Sequence, residues 1–285
     1  MNILPLVSII VPTRDRLDLL EKCLGSIAKQ YYQNIEVIIV DGQANEPATT
    51  VALTHNATYL MVNKSGDQRS AQRNLGFAKA RGDYLMYIDD DMTLEPEVVQ
   101  QCVELSLQNP EVGAIVIHEK SFGKGFWIQC KILERSCYEG DRQIEGVRFI
   151  RKDVLDQIGG FNVRLIAGED WDITHRIQQA DFATPAISAY IHHNEGSAGY
   201  FEMCRKKMYY GGMLPAFVQE STKPREGFMF LLQRVYFFRS ALWRNWRKIL
   251  SQPAQAIGLV LLLSGELVAG GLGYIAGSMR RVPKE

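Results

Sequence analysis

Two patterns of hydrophobic positions alternate over the first 120 residues. Five short apolar runs, rich in β-branched and aromatic residues, predict strands buried on both faces, at residues 7–11, 35–40, 58–62, 84–89 and 112–117. Between them, apolar residues recur every three or four positions and predict helices over residues 16–30, 70–80 and 96–108. This alternation predicts an α/β fold with a mostly parallel central sheet. Ligands of such sheets bind beyond the carboxyl ends of the strands, so the residues that follow each strand are the first candidates for a site.

The last sixty residues follow neither pattern. The 31 residues from Ile249 to Met279 carry one charged side chain, Glu266, and exceed the roughly 20 apolar residues that span a bilayer. Basic residues flank both ends of this segment, so they do not orient a single span. A tilted span, a hairpin and a helix in the interface remain open, and a buried core helix is the ordinary alternative. We expect the C-terminal helices to hold the protein on the cytoplasmic face of a membrane.

Composition and charge narrow the class of protein. The chain has 285 residues, of which 46% are hydrophobic and 22% charged, and this ordinary globular composition excludes a disordered protein. Residues 221–285 hold 10 basic and 3 acidic residues within a chain that has 32 of each, so a basic tail follows an acidic body. Such a tail is expected to meet an anionic partner. The five cysteines form no CxxC pair, which favours reduced thiols, and no secretory signal is evident at the N-terminus.

Several common binding motifs do not occur. The first predicted strand continues into VPTRDR rather than GxGxxG, and the chain contains neither GxxxxGK[ST] nor GxSxG. A dinucleotide-binding turn, a P-loop and a hydrolase nucleophile turn therefore lose support. We also expect no nucleic-acid partner.

Three adjacent carboxylates, Asp89, Asp90 and Asp91, end the fourth predicted strand in YLMYIDDDM. Neighbouring carboxylates repel one another, and a divalent metal ion with oxygen ligands would offset that cost. The alternative is a solvated turn or a helix cap, because acidic residues favour helix starts. One aspartate would satisfy a cap, whereas three exceed that need, so the motif favours a metal site.

Two further motifs carry candidate chemistry. Glu169 and Asp170 precede a helical pattern in AGEDWDITHRI, where a carboxylate in a cleft can act as a general base or simply cap the helix. His192 and His193 end a strand-like run in AYIHHNEG. Such a pair is usually structural, but beside an acidic metal site one imidazole becomes a plausible further ligand.

Together these segments resemble a known family. In this order, VSIIVPTRDR, IEVIIVDGQ, SAQRNLGFAKARGDYLMYIDDD, GGFNVRLIAGEDWDI and IHHNEG resemble the family 2 glycosyltransferases with the GT-A fold, over about residues 5–215. The resemblance implies a GT-A (nucleotide-diphospho-sugar transferase) catalytic domain at residues 1–222. A basic, aromatic helix and a hydrophobic membrane-associated segment (about 249–279) would follow at residues 223–285.

The resemblance also implies roles for individual residues. Asp170 matches the catalytic base, and Glu169 would orient it or the acceptor. The residues implied in binding the nucleotide sugar are Pro12, Thr13, Arg14, Asp41, Arg73, Asp89 and Asp90. The implied metal is Mg²⁺ or Mn²⁺, with Asp89, Asp91 and either His192 or His193 as candidate ligands.

The implied reaction is the transfer of a sugar from a nucleotide-diphosphate donor, with inversion at the anomeric carbon. UDP is the favoured nucleotide, because Asp41 can accept a hydrogen bond from a uracil imide; a guanine edge also offers donors, so a GDP-sugar is the alternative. A base such as Asp170 favours a hydroxyl acceptor over an ionised phosphate, and the hydrophobic tail suggests a lipid-linked glycan or a glycolipid. Transfer to a polyprenyl phosphate and a non-catalytic nucleotide-sugar-binding membrane protein are the alternatives.

Overall fold

The computed structural model describes residues 4–43, 46–62, 69–141, 144–165, 168–215 and 240–279. The chain divides into two compact units. The first unit consists of Met1–Lys120, Glu145–Val163 and Glu169–His193, and the second of Ser121–Ile144, Arg164–Gly168 and Asn194–Glu285. The predicted domain boundary near residue 222 lies outside the described residues.

Eight strands form one mixed sheet among the described residues. The strands are β1 (Val7–Thr13), β2 (Ile35–Asp41), β3 (Thr58–Met61), β4 (Tyr84–Tyr87), β5 (Met92–Leu94), β6 (Ala114–Phe122), β7 (Val147–Arg151) and β8 (Ala186–Asn194). Their order is β3-β2-β1-β4-β7-β6-β8-β5. The five predicted strands all occur, and β3, β2, β1 and β4 run parallel. The pairs β4–β7, β6–β7 and β5–β8 are antiparallel, so the parallel arrangement holds for half of the sheet.

Helices cover both faces of this sheet in the first unit. They are α1 (Leu17–Ile27), α2 (Glu46–Thr54), α3 (Arg69–Lys79), α4 (Val98–Gln108), α6 (Lys152–Ile158) and α7 (Glu169–Gln179). Alternate residues of β1 point to opposite faces: Ile9 packs in one apolar core with α1 and α4, and Ile10 in another with α3, α6 and α7. Strands β1 and β4 are buried along their whole length, as predicted. The prediction of burial on both faces is wrong for β3, an edge strand whose first and last residues are exposed.

Helix α3 lies unusually close to β1. A Cβ atom added at Gly76 would lie 2.5 Å from Cγ2 of Ile10, so the close packing of α3 on the sheet requires glycine at this position. One turn earlier on the same helix, Arg73 is fully buried. The close approach thus places a guanidinium group inside the protein, near the ends of the parallel strands.

The second unit is mainly helical among its described residues. It contains α5 (Phe126–Ser136), α8 (Tyr200–Gly211), α9 (Ser240–Arg244), α10 (Trp246–Leu250) and α11 (Pro253–Met279). Buried side chains such as Leu133, Met203 and Leu262 form its core, in which α11 packs against α5 and α8. Within the part of the chain that is described, α11 is the one helix long and apolar enough to cross a membrane, which by itself is weak evidence that it does so.

Candidate active site

The aspartate trio follows β4 where the parallel half of the sheet ends. Strand β4 ends at Tyr87, two residues earlier than predicted, and the backbone turns so that the Met92 amide donates to the Asp89 carbonyl oxygen at 3.0 Å. The chain then forms the short strand β5 beside β8, with Met92 opposite His193. This pairing brings the carboxyl end of β8 next to the trio.

Arg73 connects the trio to the second acidic motif. Its Nη2 donates to Oδ1 of Asp89 at 3.0 Å, and its Nη1 donates to Oδ1 of Asp170 at 2.7 Å. The guanidinium carbon lies 4.4 Å from the centre of the Tyr87 ring and 5.0 Å from that of Phe161, which are cation–π distances. Two motifs that are 81 positions apart therefore share one buried cation.

The arginines determine the ionisation of Asp89. Burial opposes charge on this carboxyl, yet Arg73, Arg148 and Arg69 together hold its pKa well below its ordinary value. The nearest nitrogens of Arg148 and Arg69 lie 3.8 and 3.9 Å from Asp89 Oδ2. Asp89 is thus a buried anion compensated by several cations, rather than a solvated turn residue.

Glu169 and Asp170 begin α7 but have different surroundings. Glu169 is buried, and this burial, followed by the neighbouring Asp170 charge, raises the pKa of Glu169 although Arg73 and Arg69 oppose the shift. The Asp170 side chain is 30% exposed. One of its oxygens accepts from Arg73, and the other has no hydrogen-bond partner among the described residues. Asp170 is therefore the member of the pair that a substrate can reach.

Asp90 points into the protein and connects the turn after β4 to the segment that follows β1. It is fully buried, its Oδ2 accepts from the Thr13 hydroxyl at 2.8 Å, and its Oδ1 lies 2.6 Å from Nη2 of Arg16. Burial raises the pKa of Asp90 to about 6, against the opposing effects of Arg16 and Thr13. Arg16 Nη1 also donates to Asp91 Oδ2 at 2.7 Å. A direct contact between Asp90 and a nucleotide sugar remains a prediction.

Asp91 and His193 have the geometry to share a divalent ion. Asp91 Oδ1 is buried without a hydrogen-bond partner among the described residues, and it lies 3.6 Å from His193 Nε2. Ligands lie about 2.0–2.1 Å from Mg²⁺, so two ligands of one ion are at most about 4.2 Å apart, a limit that this pair meets. Nδ1 of His193 lies 3.3 Å from Oε2 of Glu119, the kind of carboxylate contact that orients metal-binding histidines.

These two side chains would supply only part of a coordination shell. Among the described residues, no group of three or more His, Cys, Asp or Glu side chains is arranged to hold a metal ion. Mg²⁺ in phosphate-binding sites commonly uses one or two carboxylates and completes its shell with substrate oxygens and water. The donor set therefore fits an ion that binds together with a diphosphate.

His192 faces away from this pair. Successive strand residues point to opposite faces of a sheet, and Nε2 of His192 lies 3.1 Å from Oε1 of Glu95, not near Asp91. The structure therefore distinguishes the two histidines that the sequence motif left equivalent.

The predicted nucleotide contacts lie at the ends of β1 and β2. Asp41 is fully buried, and its oxygens accept hydrogen bonds from the Tyr59 hydroxyl and the Gln43 backbone amide, each at 2.9 Å. A direct hydrogen bond between Asp41 and a nucleotide base remains a prediction. Nε of Arg14 donates to the Gln43 side chain at 3.3 Å, and Pro12 is buried in β1. These residues lie at the same edge of the sheet as the trio, at the carboxyl ends of the neighbouring strands.

Three residues of the site were not among the site residues predicted from the sequence. Arg148 donates to Oε1 of Glu119 at 2.7 Å, and Arg16 bridges Asp90 and Asp91. Arg16 belongs to the quoted VPTRDR motif, whereas Glu119 and Arg148 follow no recognisable pattern. The sequence signal for Glu119 is only that it lies near the end of a strand.

The fold and site define a class of protein: an α/β domain with an acidic, arginine-compensated site at the carboxyl ends of its parallel strands. The model of the glycosyl transferase family 2 matches residues 8–167, and the chain belongs to that family. An uncharacterized glycosyltransferase from Haemophilus influenzae is 28% identical over 190 residues, which cover 63% of this chain and 64% of that protein. The match thus spans slightly less than two thirds of this relative.

Solved glycosyltransferase structures share the GT-A fold. The mannosyltransferase PcManGT from Pyrobaculum calidifontis, in complex with GDP-Man and Mn²⁺, superposes with a TM-score of 0.64 at 17% identity, covering 96% of this chain and 88% of that one. Residues 1–349 of S. aureus TarS, in complex with UDP-GlcNAc, superpose with a TM-score of 0.59 at 15% identity, covering 96% and 91%. At these identities the similarity establishes the fold.

Proposed function

We propose that this protein is a metal-dependent, inverting glycosyltransferase that moves a sugar from a nucleotide-diphosphate donor to an acceptor hydroxyl. The observation that carries the proposal is the buried Arg73, whose two terminal nitrogens bond Asp89 and the partly exposed Asp170. Arg73 thereby keeps Asp89, on the donor side, and Asp170, the candidate base, in one site.

On the donor side, Asp91 and His193 would hold Mg²⁺ or Mn²⁺, and Asp89 would contact the nucleotide sugar. When bound, such an ion stabilises the negative charge that develops on the departing diphosphate. Arg16 is 46% exposed and bonds Asp91, so its guanidinium can turn to a diphosphate oxygen as the site fills. Thr13, Arg14 and the carboxyl end of β2 would contact the nucleotide.

On the acceptor side, Asp170 would remove a proton from the attacking hydroxyl group. Its bond to Arg73 fixes one carboxylate oxygen and leaves the other for the acceptor hydroxyl. The acceptor oxygen would form its bond to the anomeric carbon as the bond to the diphosphate breaks on the opposite face. A single displacement of this kind inverts the configuration. An ionised phosphate acceptor would need no base, so this arrangement favours a hydroxyl on a lipid-linked glycan or glycolipid.

The proposal is tested directly by measuring whether a nucleotide stabilises the protein, with and without a divalent metal ion. Two structural neighbours are complexes with GDP-Man and with UDP-GlcNAc, and we favour a UDP-sugar. We expect UDP at about 100 times its Kd, with Mn²⁺, to stabilise the protein by about 2.7 kcal/mol, measured as a rise in Tm. EDTA should abolish both this rise and sugar transfer. A nucleotide effect that is unchanged by EDTA would exclude metal-dependent binding.

The two adjacent histidines allow a matched test of the metal site. We expect His193→Ala to weaken Mn²⁺ binding in the presence of UDP by at least about tenfold, because it removes a ligand. His192→Ala should leave Mn²⁺ binding unchanged, since His192 contacts Glu95 instead. Titration of Mn²⁺ followed by electron paramagnetic resonance measures binding without any assay of activity. Equal effects of the two variants would remove His193 from the site.

We further propose that residues 1–222 provide the catalytic machinery and that the C-terminal segment holds the protein on the cytoplasmic face of a membrane. Support comes from the exposed apolar side of α11 and from the basic residues that precede it. Because α11 packs against α5 and α8, truncation at residue 222 would also uncover the core of the second unit. Substitutions on the exposed side of α11 are therefore the cleaner test.

A further inference from the structure

The second unit contains a buried ionic cluster that catalysis does not use. Lys131 of α5 lies 2.7 Å from Glu134 Oε2 on the same helix and 3.2 Å from both carboxylate oxygens of Glu266 on α11. The Tyr138 hydroxyl donates to Glu134 at 2.6 Å, and Lys207 of α8 lies 3.9 Å from Glu266. Glu134 and Glu266 are almost completely buried. The cluster ties α11 to both of its neighbours.

Glu266 is the midpoint of the 27-residue helix α11. At about 1.5 Å per residue the helix is roughly 40 Å long, which is enough to cross a hydrocarbon core of about 30 Å. A spanning helix would place the Glu266 carboxylate near the bilayer centre, where a charged side chain is strongly disfavoured. It would also have to leave Lys131, and breaking a buried ion pair is strongly destabilising because it leaves a charge uncompensated.

The partners of Glu266 cannot accompany α11 across a bilayer. Helices α5 and α8 have 11 and 12 residues. Each is therefore shorter than about 20 Å and too short to cross a hydrocarbon core of about 30 Å. Helix α11 packs closely against the end of α8: an added Cβ at Gly273 would clash with the Met208 carbonyl, and one at Gly277 with the carbonyl of Gly212, the residue after α8. The packing of α11 within its unit is therefore incompatible with a transmembrane orientation.

The opposite side of α11 is apolar and exposed. Six aliphatic side chains, each more than half exposed, recur at helical spacing along its whole length: Ile257, Val260, Leu261, Val268, Leu272 and Ile275. We call this surface the outer stripe. Its extent exceeds the scattered apolar residues of an ordinary soluble surface, and such patches mark interaction sites.

Aromatic and basic residues that come just before α11 in the chain indicate the partner of the outer stripe. Helices α9 and α10 carry exposed Trp243 and Trp246 together with exposed Arg247 and Lys248. Indole rings prefer the headgroup level of a bilayer, and lysine and arginine are attracted to anionic lipids. An apolar helix side next to aromatic and basic residues is typical of helices that lie in a membrane interface.

We infer that α11 lies in the plane of one anionic membrane leaflet, with the outer stripe in the lipid and Glu266 turned towards the protein. The inference deepens the membrane-association part of the proposed function and rests on it. It selects the interfacial orientation from the span, hairpin and interface that the sequence left open. The stripe would enter the boundary between headgroups and acyl chains by about 5–10 Å.

The orientation is tested by labelling the two ends of α11. Four of the five cysteines are buried, so the full-length Cys204→Ser protein is the background for single Ser251→Cys and Ser278→Cys variants. Each is bound to the outside of sealed vesicles of 70% phosphatidylcholine and 30% phosphatidylglycerol and treated with a membrane-impermeant maleimide. We expect both positions to be labelled equally. Labelling of one position only after detergent is added would establish a span and overturn the inference.

The lipid-facing side is tested by flotation of full-length variants with the same vesicles. We expect the double variant Val260→Asp with Val268→Asp to lower vesicle binding by more than about tenfold, because two aliphatic side chains no longer enter the lipid. The matched control is Leu107→Asp, which changes an exposed leucine on α4 in the first unit and should bind normally. Arg247→Glu with Lys248→Glu should weaken binding to anionic vesicles but not to pure phosphatidylcholine.

Other outcomes separate this inference from the proposed catalytic function. A wild-type protein that transfers sugar but does not float with vesicles would overturn the inference alone. One that floats but neither binds nor transfers a nucleotide sugar would overturn the catalytic proposal alone. If the lipid-free protein is a stable dimer that the Val260→Asp and Val268→Asp changes dissociate, a second copy covers the outer stripe and the membrane orientation is wrong.

Discussion

Asp170→Asn is expected to lower the rate of sugar transfer to a hydroxyl acceptor by about 10²–10⁴-fold, which is the usual contribution of a positioned general base. The amide keeps the size of the carboxylate but cannot take up the proton of the attacking hydroxyl. The bond between Asp170 and Arg73 is weakened in the variant, so Tm is measured alongside turnover. Binding of UDP with Mn²⁺ should change little, because the nucleotide would contact the other end of the site.

The matched control for this change is Asp172→Asn. Asp172 stands in the same first turn of α7, but it pairs with Arg176 at 2.7 Å instead of contacting Arg73. Transfer by this variant should stay near the wild-type rate. Wild-type turnover by Asp170→Asn would remove Asp170 as the base, and loss of transfer in both variants would indicate damage to α7 rather than to catalysis.

Arg73→Met should cause the largest loss of stability of any single change in the site. The methionine leaves Asp89 and Asp170 without their shared buried cation, and breaking a buried ion pair in this way typically costs about 3–5 kcal/mol. The same variant should lose sugar transfer, because both motifs are positioned through this guanidinium. Urea unfolding, analysed for the change in midpoint at constant slope, measures the loss of stability.

Arg81→Met provides the control, since Arg81 also pairs with a carboxylate, Glu36, but its side chain is 78% exposed. Exposed pairs contribute about 0–1 kcal/mol, so this variant should be nearly as stable as the wild type. Adding Asp89→Asn to Arg73→Met should recover part of the lost stability, because it removes one of the uncompensated charges. A loss no larger in Arg73→Met than in Arg81→Met would show that Arg73 does not compensate the trio.

The parallel half of the sheet was predictable because its strands are short apolar runs, of which β1 and β4 are buried on both faces. Continuous apolar runs such as residues 37–40 and 84–88 identify these strands locally, without knowledge of their neighbours. Whether a strand pairs parallel or antiparallel is not indicated by its local sequence. Strand β6 was therefore recognised as a strand, while its antiparallel pairing with β7 was not foreseen, and the three-residue strand β5 is too short for any periodicity to appear.

The site likewise divides into residues that the sequence predicted and residues that only the tertiary structure brings in. Its carboxylates were identified from adjacency, because three acidic residues after an apolar strand are costly without a cation. The compensating arginines were mostly missed, since Arg16 and Arg148 approach the trio only through the packing of separate elements. The choice between His192 and His193 likewise depends on the register of β5 with β8, which directs alternate side chains to opposite faces.

By itself, the sequence determined the kinds of local structure, the acidic motifs and the family to which they belong, because these depend on residues close together in the chain. Only the tertiary structure decided that Arg73 joins the two motifs, that His193 faces Asp91 and that Glu266 is turned inward on α11. Each of these depends on side chains from distant segments meeting at distances of a few ångströms, and no local pattern of residues encodes such a meeting.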